Sequence, residues 1–191
     1  MSKRGRPIVV SAASGTGKTT IIKELMRRRP NLEFSVSSTT RKPRENEIDG
    51  VHYNFISREE FQRGIDNDFF AEWEEVHGEY YGTGRQALEE ALEAGKHVLL
   101  DLDVNGGERL KRNYPETVLI FLYPPSLEEL CRRLITRGTE TSQSLKRRLE
   151  RYPMERAKGE KFPYRIMNDV VERATDQVLE IINNNGEAED H

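Results

Sequence analysis

The chain alternates between short, continuously apolar runs and longer stretches in which apolar residues recur at helical spacing. The continuous runs are rich in β-branched and aliphatic residues, which is typical of strands buried on both faces of a parallel sheet. They cover residues 8–11, 97–103 and 117–123. Apolar residues three or four positions apart, such as Ile21 and Leu25, predict helices that pack on this sheet. The pattern therefore predicts an α/β fold with a central parallel sheet flanked by helices.

Capping and turn signals predict the remaining elements. The segments Ser57–Glu60 and Ser126–Glu129 are typical of capping boxes, in which a serine and a glutamate three residues later open a helix. The other predicted elements are a strand at 34–38, a flexible turn at 80–84, helices at 86–94 and 108–113, a strand at 162–167 and a helix at 174–182. On general frequencies of burial we expect Phe69, Phe70 and Trp73 to lie mostly in the core.

Composition narrows the class of protein. The 191 residues suffice for one compact α/β core with inserted subdomains. A net charge of −3, from 30 basic and 33 acidic residues, argues against a general nucleic-acid binder. The single cysteine, Cys131, excludes a disulfide within the chain, and we expect it to be a packing residue. Apolar runs are too short to span a bilayer and no signal peptide is evident, so we expect a cytoplasmic protein.

Residues 12–19, Ala-Ala-Ser-Gly-Thr-Gly-Lys-Thr, lie between the first predicted strand and a helix predicted from Thr20 to about Arg29. A strand, a glycine-rich turn and a helix in this order make a P-loop, in which backbone N–H groups and the helix N-terminus surround a polyphosphate. The residues predicted to contact ATP here are Ala13, Ser14, Gly15, Thr16, Gly17, Lys18, Thr19 and Thr20. Lys18 would reach the β- and γ-phosphates, and the Thr19 hydroxyl would bind Mg²⁺.

One position departs from the P-loop pattern, because Ala12 replaces the first glycine. Alanine disfavours a positive φ, so the loop requires that Ala12 keep an ordinary backbone conformation. The alternative interpretation is a chance turn rich in glycine and serine. The strand before it and the helix after it disfavour that alternative.

Acidic residues at the end of the strand at 97–103 supply candidates for metal binding. Asp101 is the first candidate and Asp103 the second, since an aspartate at the carboxyl end of a parallel strand beside a P-loop is typical of a Mg²⁺ ligand. The alternative for Asp103 is a helix or turn cap before Asn105.

Two further features indicate a second, anionic substrate. Arg41 and Arg44 lie in an irregular polar segment, and arginine suits a bidentate grip on phosphate. Glu72 stands among aromatic residues. In a buried pocket its carboxylate would accept two N–H donors from one edge of a base, and the alternative is a rim residue.

The segment 126–157 predicts two helices joined by a loop, with arginines on the loop side. This arrangement is typical of a lid that closes over phosphates. For Arg147 and Arg151 the alternative is a solvated basic helix face.

The order of these motifs resembles the guanylate kinase family. The resemblance runs from about Ile8 to Ile182, and its most specific parts are the segments around Arg41 and Arg137. After the P-loop the matching segments are Ser-Ser-Thr-Thr-Arg-Lys-Pro-Arg (37–44), Asp-Gly-Val-His-Tyr-Asn-Phe (49–55), Phe-Ala-Glu-Trp (70–73), Tyr-Tyr-Gly-Thr (80–83), Leu-Asp-Leu-Asp (100–103) and Arg-Gly-Thr-Glu-Thr (137–141).

The resemblance implies a P-loop kinase that converts ATP and GMP, or dGMP, into ADP and GDP or dGDP with Mg²⁺. This is a step of purine nucleotide metabolism and GMP recycling in the cytosol. It implies three parts: a core at about 1–34, 83–125 and 158–191, an inserted mixed α+β GMP-binding subdomain at about 35–82, and a helical lid at about 126–157. The expected partners are the nucleotide substrates alone, with no nucleic acid, membrane or obligate protein partner.

The resemblance also implies a role for individual residues. The GMP phosphate would be held by Arg41, Arg44, Tyr53 and Tyr81, and guanine by Ser37 and Glu72 with help from Thr83 and Asp103. Arg137 and Arg148 match the lid arginines near the ATP phosphates, and Asn168 matches a position near adenine. The predicted catalytic set is Lys18, Arg41, Arg137 and Arg148.

Two alternatives stay open beside a guanylate kinase. Guanylate kinase-like domains of scaffold proteins bind phosphopeptides, but their P-loops are degraded, whereas Lys18 and Thr19 are intact here. A related kinase acting on another acceptor, such as a phosphorylated sugar, need not keep Ser37, Glu72 and Thr83 together. The departures from the family pattern lie away from the phosphate-handling residues and are Ala12, Asn46, Asn105, Gln143 and Phe162-Pro163.

Overall fold

The computed structural model describes residues 4–76, 78–136 and 142–187. In chain order these ranges contain β1 (Pro7–Ala12), α1 (Lys18–Arg28), β2 (Glu33–Ser35), β3 (Ser38–Thr39), β4 (Asn54–Phe55), α2 (Arg58–Asp66), β5 (Phe70–Val76), β6 (Glu79–Gly84), α3 (Arg85–Glu93), β7 (Val98–Asp101), α4 (Val104–Asn113), β8 (Val118–Tyr123), α5 (Leu127–Thr136), α6 (Ser142–Gly159), β9 (Tyr164–Met167) and α7 (Val171–Glu187). Within the same ranges, no helix is both long and apolar enough to cross a membrane.

The larger sheet has five strands in the order β2-β7-β1-β8-β9. β2 pairs with β7 and β8 pairs with β9, both in parallel. Every residue of β1 is buried, and β8 is buried up to Leu122. Burial on both faces is what a continuously apolar strand requires. The predicted α/β fold, with a central parallel sheet flanked by helices, is therefore confirmed.

The smaller sheet has the order β4-β3-β6-β5 and mixes both kinds of pairing. β6 pairs antiparallel with β3 and with β5, whereas β3 and β4 are parallel. α2 begins at the predicted capping box. The Ser57 hydroxyl accepts from the Glu60 N–H at 3.1 Å, and the Glu60 carboxylate accepts from the Ser57 N–H at 2.8 Å.

The chain divides into two compact units. One contains Asn31–Asp101 and Asn105–Thr117 together with the residues up to Ile8, and the other contains Val9–Pro30, Leu102–Val104 and the residues from Val118 onward. In the first unit the rings of Phe61 and Phe70 stack with centroids 4.2 Å apart. In the second, Ala13 packs with residues of α5 and α6, namely Leu130, Leu134 and Tyr152. The predicted limits of core, subdomain and lid stay a prediction.

Two predictions of core residues were wrong. Phe70 is buried, but Phe69 is 50% exposed and Trp73 is 39% exposed. β5 is the edge strand of the smaller sheet, so one of its edges has no neighbouring strand. A register shift between Phe70 and Glu72 places the carboxylate of Glu72 inside, and the strand alternation then turns Trp73 outward.

Three element predictions also need correction. Residues 80–84 belong to strand β6, and they are not a flexible turn. Gly82 serves close packing there, because a Cβ on it would lie 2.9 Å from Phe61 Cζ. The strand predicted at 34–38 is split between β2 and β3, which lie in different sheets. α4 begins at Val104, four residues before the predicted helix, and it includes the buried Gly106.

Candidate functional site

The phosphate loop joins β1 to α1 through two glycines with left-handed backbones. Gly15 has φ 89° and Gly17 has φ 98°, and Gly17 is the N-cap of α1. Among the described residues, Asp68 is the only non-glycine with a positive φ. Ala12 therefore has the ordinary backbone conformation that the sequence argument required of it. The turn aims the N-terminus of α1, with its unpaired N–H groups and positive dipole end, at the position predicted for a polyphosphate.

Side chains from α5 and from the end of β9 fix this loop in place. The buried carbonyl of Thr16 accepts hydrogen bonds from Asn168 Nδ2 at 2.7 Å and from Arg133 Nη1 at 3.0 Å. A Cβ on Gly15 would lie 2.6 Å from Leu134 Cδ2, so the loop is also closely packed. Asn168, predicted near adenine, lies against the loop and is buried. Its role towards adenine stays a prediction.

Two of the predicted catalytic cations reach the loop region. Lys18 Nζ donates to the Leu102 carbonyl at 3.3 Å, and Arg148 of α6 hydrogen-bonds to the Ser14 hydroxyl. Thr19 and Thr20, in the first turn of α1, are exposed. Arg137 lies outside the described residues. Asp103 lies in the same unit as Lys18. It directly precedes α4, which is also the position of a helix cap, the alternative role given above.

A carboxylate that the sequence analysis missed lies beside the loop. Glu155 of α6 is 8% exposed, and its Oε1 lies 3.4 Å from Arg151 Nε. Burial raises the pKa of Glu155, because it disfavours the charged form, while Arg151, the Ser14 N–H and Lys18 act in the opposite direction. The sequence analysis did not identify Glu155, because its neighbours in α6 are basic and suggested a solvated helix face.

The predicted GMP-phosphate residues meet in the other unit around Arg41. The Arg41 guanidinium lies over the ring of Tyr53, 5.4 Å from its centroid, and the Tyr53 and Tyr81 rings are 6.0 Å apart. The Arg44 side chain is exposed, and its backbone N–H donates to Glu47.

Glu47 accepts hydrogen bonds from both Arg41 and Arg44. The sequence analysis did not identify Glu47. Its two oxygens accept from Arg41 Nη1 at 2.8 Å and from Nη2 at 2.9 Å. The hydrogen bonds from Arg41 lower the pKa of Glu47 to about 2, and the same pairing raises the pKa of Arg41. Such fork-to-fork pairs fix the plane of a guanidinium, so Glu47 sets the orientation of the Arg41 side chain.

The predicted base-reading residues pair across two strands. Glu72 and Thr83 stand opposite each other on β5 and β6, both buried, and Thr83 Oγ1 donates to Glu72 Oε1 at 2.7 Å. Ser37 is buried next to β3, which also pairs with β6. The burial of Glu72 excludes the alternative of an exposed rim residue. A buried carboxylate in a fixed orientation is an acceptor suited to the N–H edge of a base.

The two residues predicted to bind Mg²⁺ lie on α1 and β7. Thr19 follows Lys18 in α1, and Asp101 is the last residue of β7, where it is half-buried. Among the described side chains, no group of three or more His, Cys, Asp or Glu is arranged to hold a metal ion. The role of both residues towards Mg²⁺ stays a prediction.

Comparison with known proteins gives one consistent result. The family model described as guanylate kinase matches residues 4–185. The chain is 46% identical over 180 residues to the guanylate kinase of Clostridium tetani, covering 94% of this chain and 86% of that protein. It is 42% identical over 178 residues to that of Desulfitobacterium hafniense, covering 93% and 89%.

A solved structure agrees with these relatives. The crystal structure of guanylate kinase from Anaplasma phagocytophilum superposes with a TM-score of 0.81 at 32% identity, covering 97% of this chain and 88% of that one. The family model, the relatives and the solved structure agree over nearly the whole chain. The chain belongs to the guanylate kinase family.

Proposed function

We propose that this protein transfers the γ-phosphoryl group of ATP to GMP, and less readily to dGMP, giving ADP and GDP or dGDP. The observation that carries the choice of acceptor is the buried Glu72 carboxylate, which Thr83 Oγ1 holds at 2.7 Å. Guanine presents N1–H and N2–H₂ donors on one edge, whereas adenine has an acceptor at N1. A fixed carboxylate therefore binds guanine and rejects adenine.

The reaction needs positioning and charge neutralisation more than covalent help. An oxygen of the GMP phosphate attacks the γ-phosphorus of ATP, the bond between that phosphorus and the β–γ bridging oxygen breaks, and ADP leaves. The GMP phosphate is already ionised at pH 7, so no general base is required. We assign the GMP phosphate to Arg41, Tyr53, Tyr81 and Arg44.

On the donor side we assign the ATP phosphates to the loop N–H groups, Lys18 and Arg148, with Arg137 as a further lid arginine. Mg²⁺ fits the hard oxygen donors predicted for it, the exposed Thr19 hydroxyl and the Asp101 carboxylate. Bound with ATP, it would neutralise charge on the β- and γ-phosphates. We place the reaction in the cytoplasm, where a chain with the single cysteine Cys131 needs no oxidising environment.

A coupled assay with ATP, Mg²⁺ and each of GMP, dGMP, AMP and UMP tests the proposal. We expect GMP to be turned over fastest, dGMP more slowly, and AMP and UMP poorly. Lys18→Met should abolish turnover while calorimetry still detects GMP binding. Lys23→Met, an exposed lysine of the same helix, is the matched control and should remain active. Folded protein that phosphorylated no monophosphate would support a binding module, and a preference for AMP would contradict the role of Glu72.

A further inference from the structure

Phe70 and Glu72 are two residues apart on β5, yet their side chains lie on opposite faces of the smaller sheet. The ring of Phe70 stacks on Phe61 of α2, and a Cβ on Gly82 would lie 2.8 Å from the first ring and 2.9 Å from the second. The Glu72 carboxylate instead pairs with Thr83, the neighbour of Gly82 on β6. Successive residues of a strand point to opposite faces, so residues two apart normally share one. An irregularity between Phe70 and Glu72 therefore decides where the carboxylate lies.

That irregularity is a β-bulge at Ala71. Phe70 pairs with Gly84 and Glu72 pairs with Thr83, so Ala71 is an extra residue between two consecutive pairs of the ladder. An extra residue of this kind has no partner in the ladder, and its carbonyl needs another donor. Ala71 and Phe70 are 1% and 4% exposed, which leaves water little access to their carbonyls.

Two side chains from outside the strand satisfy these carbonyls. Asn113, the last residue of α4, donates from Nδ2 to the Ala71 carbonyl at 2.9 Å. Arg85, the first residue of α3, donates from Nη2 to the Phe70 carbonyl at 2.9 Å. A buried carbonyl without a donor is costly, so the loss of either side chain disfavours the strand with the bulge.

Arg85 also holds the segment that leads into the bulge. Its Nε donates to the Asp68 carbonyl at 3.1 Å, and its backbone N–H donates to the Phe69 carbonyl at 2.8 Å. Asp68 has φ 54°, and a non-glycine residue keeps this left-handed conformation where its surroundings hold it. The Asp68 carboxylate also pairs with Arg85, but it is 82% exposed, and exposed ion pairs contribute little. The contacts of Arg85 with backbone carbonyls are therefore the ones that fix the bulge.

We propose that Asn113 and Arg85 are positioning residues for base recognition, because they hold the bulge that precedes Glu72. This inference rests on the proposed function, in which Glu72 binds the edge of guanine. A strand that lost the bulge would turn the carboxylate towards Phe61 and α2, and the acceptor for guanine would be lost. The phosphate loop assigned to ATP belongs to the other compact unit, so the kinetics with ATP serve as an internal control.

Asn113→Asp tests the contact with Ala71. The aspartate has nearly the same shape, but its carboxylate donates no hydrogen bond and repels the carbonyl oxygen. We expect the KM for GMP to rise about tenfold, the usual effect of leaving one buried carbonyl without its donor, and the KM for ATP to stay unchanged. The ratio of GMP to AMP turnover should fall in parallel. Calorimetry with GMP gives a second readout, in which the Kd should rise by the same factor.

Arg85→Gln is the second variant, and it removes the donor to Phe70. We expect it to raise the KM for GMP about fivefold and to leave the KM for ATP unchanged. Arg112→Met is the matched control, because Arg112 is an exposed neighbour of Asn113 whose Nε donates to the Glu108 carbonyl of its own helix. Both KM values of Arg112→Met should match the wild type. Thermal melts show whether each variant is folded at the assay temperature.

A double-mutant cycle with Glu72→Gln separates positioning from general support of the fold. If Asn113 acts through Glu72, Asn113→Asp adds little to the loss of kcat/KM for GMP once the carboxylate is gone. The two effects are then not additive in free energy, as expected for residues that act as one unit. Independent roles would instead multiply the two losses.

The proposal is overturned if Asn113→Asp and Arg85→Gln lower the melting temperature alone, with GMP affinity unchanged. It is also overturned if the KM for ATP rises as much as the KM for GMP, or if the two losses multiply in the double variant. A wild-type protein that binds GMP but forms no GDP contradicts the proposed function instead. In that case the calorimetric Kd of the variants still decides the role of the bulge.

Discussion

The hydroxyl of Thr83 donates a 2.7 Å hydrogen bond to Glu72 Oε1, between two side chains that are 0% and 6% exposed. The two residues are partners in the antiparallel ladder of β5 and β6. Because the hydroxyl is used as a donor to the carboxylate, it fixes the direction of that group without cancelling its charge. The carboxylate is thus a preorganised acceptor, and its removal should affect guanine more than any other base.

We therefore predict that Glu72→Gln lowers kcat/KM for GMP by about 100-fold, equivalent to about 3 kcal/mol for a buried, charge-assisted pairing. The amide can satisfy only part of the guanine edge, since its NH₂ group faces donors. Turnover of AMP should change by much less, so the ratio of GMP to AMP turnover falls. Steady-state kinetics with both monophosphates measures the effect.

Glu75→Gln is the control for this substitution. Glu75 lies on the same strand, is half exposed, and approaches Arg58 only to 3.9 Å. Exposed pairs of this kind contribute little, so its kinetics should match the wild type. Equal losses for GMP and AMP in Glu72→Gln would mean that the residue supports the fold and does not read the base.

The sequence predicted correctly those parts of the structure that depend on residues close together in the chain. The phosphate loop follows from glycines at Gly15 and Gly17, whose positive φ angles other residues avoid. The start of α2 follows from Ser57 and Glu60, which satisfy each other within one helical turn. The buried strands follow from continuous apolar runs. In each case the residues that decide the structure are neighbours in sequence.

The predictions that failed depend on partners far away in the chain. Nothing near Trp73 shows that β5 lies at the edge of a sheet, and nothing near Gly82 shows that Phe61 packs against it. Glu155 stands in a basic helix, and its burial against the phosphate loop follows from the packing of α6. Glu47 is only six residues from its partner Arg41. The pair lies in an irregular segment, however, and such a segment has no fixed period from which the pairing could be predicted.

The pair of Arg41 and Glu47 gives a prediction for stability against pH. The pKa of Glu47 is lowered from 4.5 to about 2, chiefly by its hydrogen bonds with Arg41. A carboxyl group with a lowered pKa in the folded state stabilises fully above its unfolded pKa and loses this effect as the pH falls. We expect Glu47→Gln to lower the free energy of unfolding by about 2 kcal/mol at pH 7. The difference from the wild type should shrink as the pH falls from about 4.5 towards 2.

Denaturant unfolding of both proteins at intervals from pH 7 to pH 3 measures that difference. Glu45→Gln serves as the control, because Glu45 is an exposed neighbour in the same segment and its substitution should have little effect at any pH. A gap between wild type and Glu47→Gln that stayed constant down to pH 3 would show that packing, and not the charge pair, accounts for the loss.

Gly17 and Gly50 both have left-handed backbones, but they differ in their surroundings. We therefore predict that alanine lowers the free energy of unfolding by different amounts at the two positions. A Cβ on Gly50 meets nothing within 4 Å, so Gly50→Ala should cost only the backbone strain of about 1 kcal/mol. A Cβ on Gly17 would lie 2.7 Å from Asn168 Nδ2, and it would displace the hydrogen bond from Asn168 to the Thr16 carbonyl. We therefore expect Gly17→Ala to lower the free energy of unfolding by about 2 kcal/mol or more. The same change should raise the KM for ATP. Denaturant unfolding and ATP kinetics measure both effects, and equal costs with an unchanged KM would contradict the packing of Asn168 on the loop.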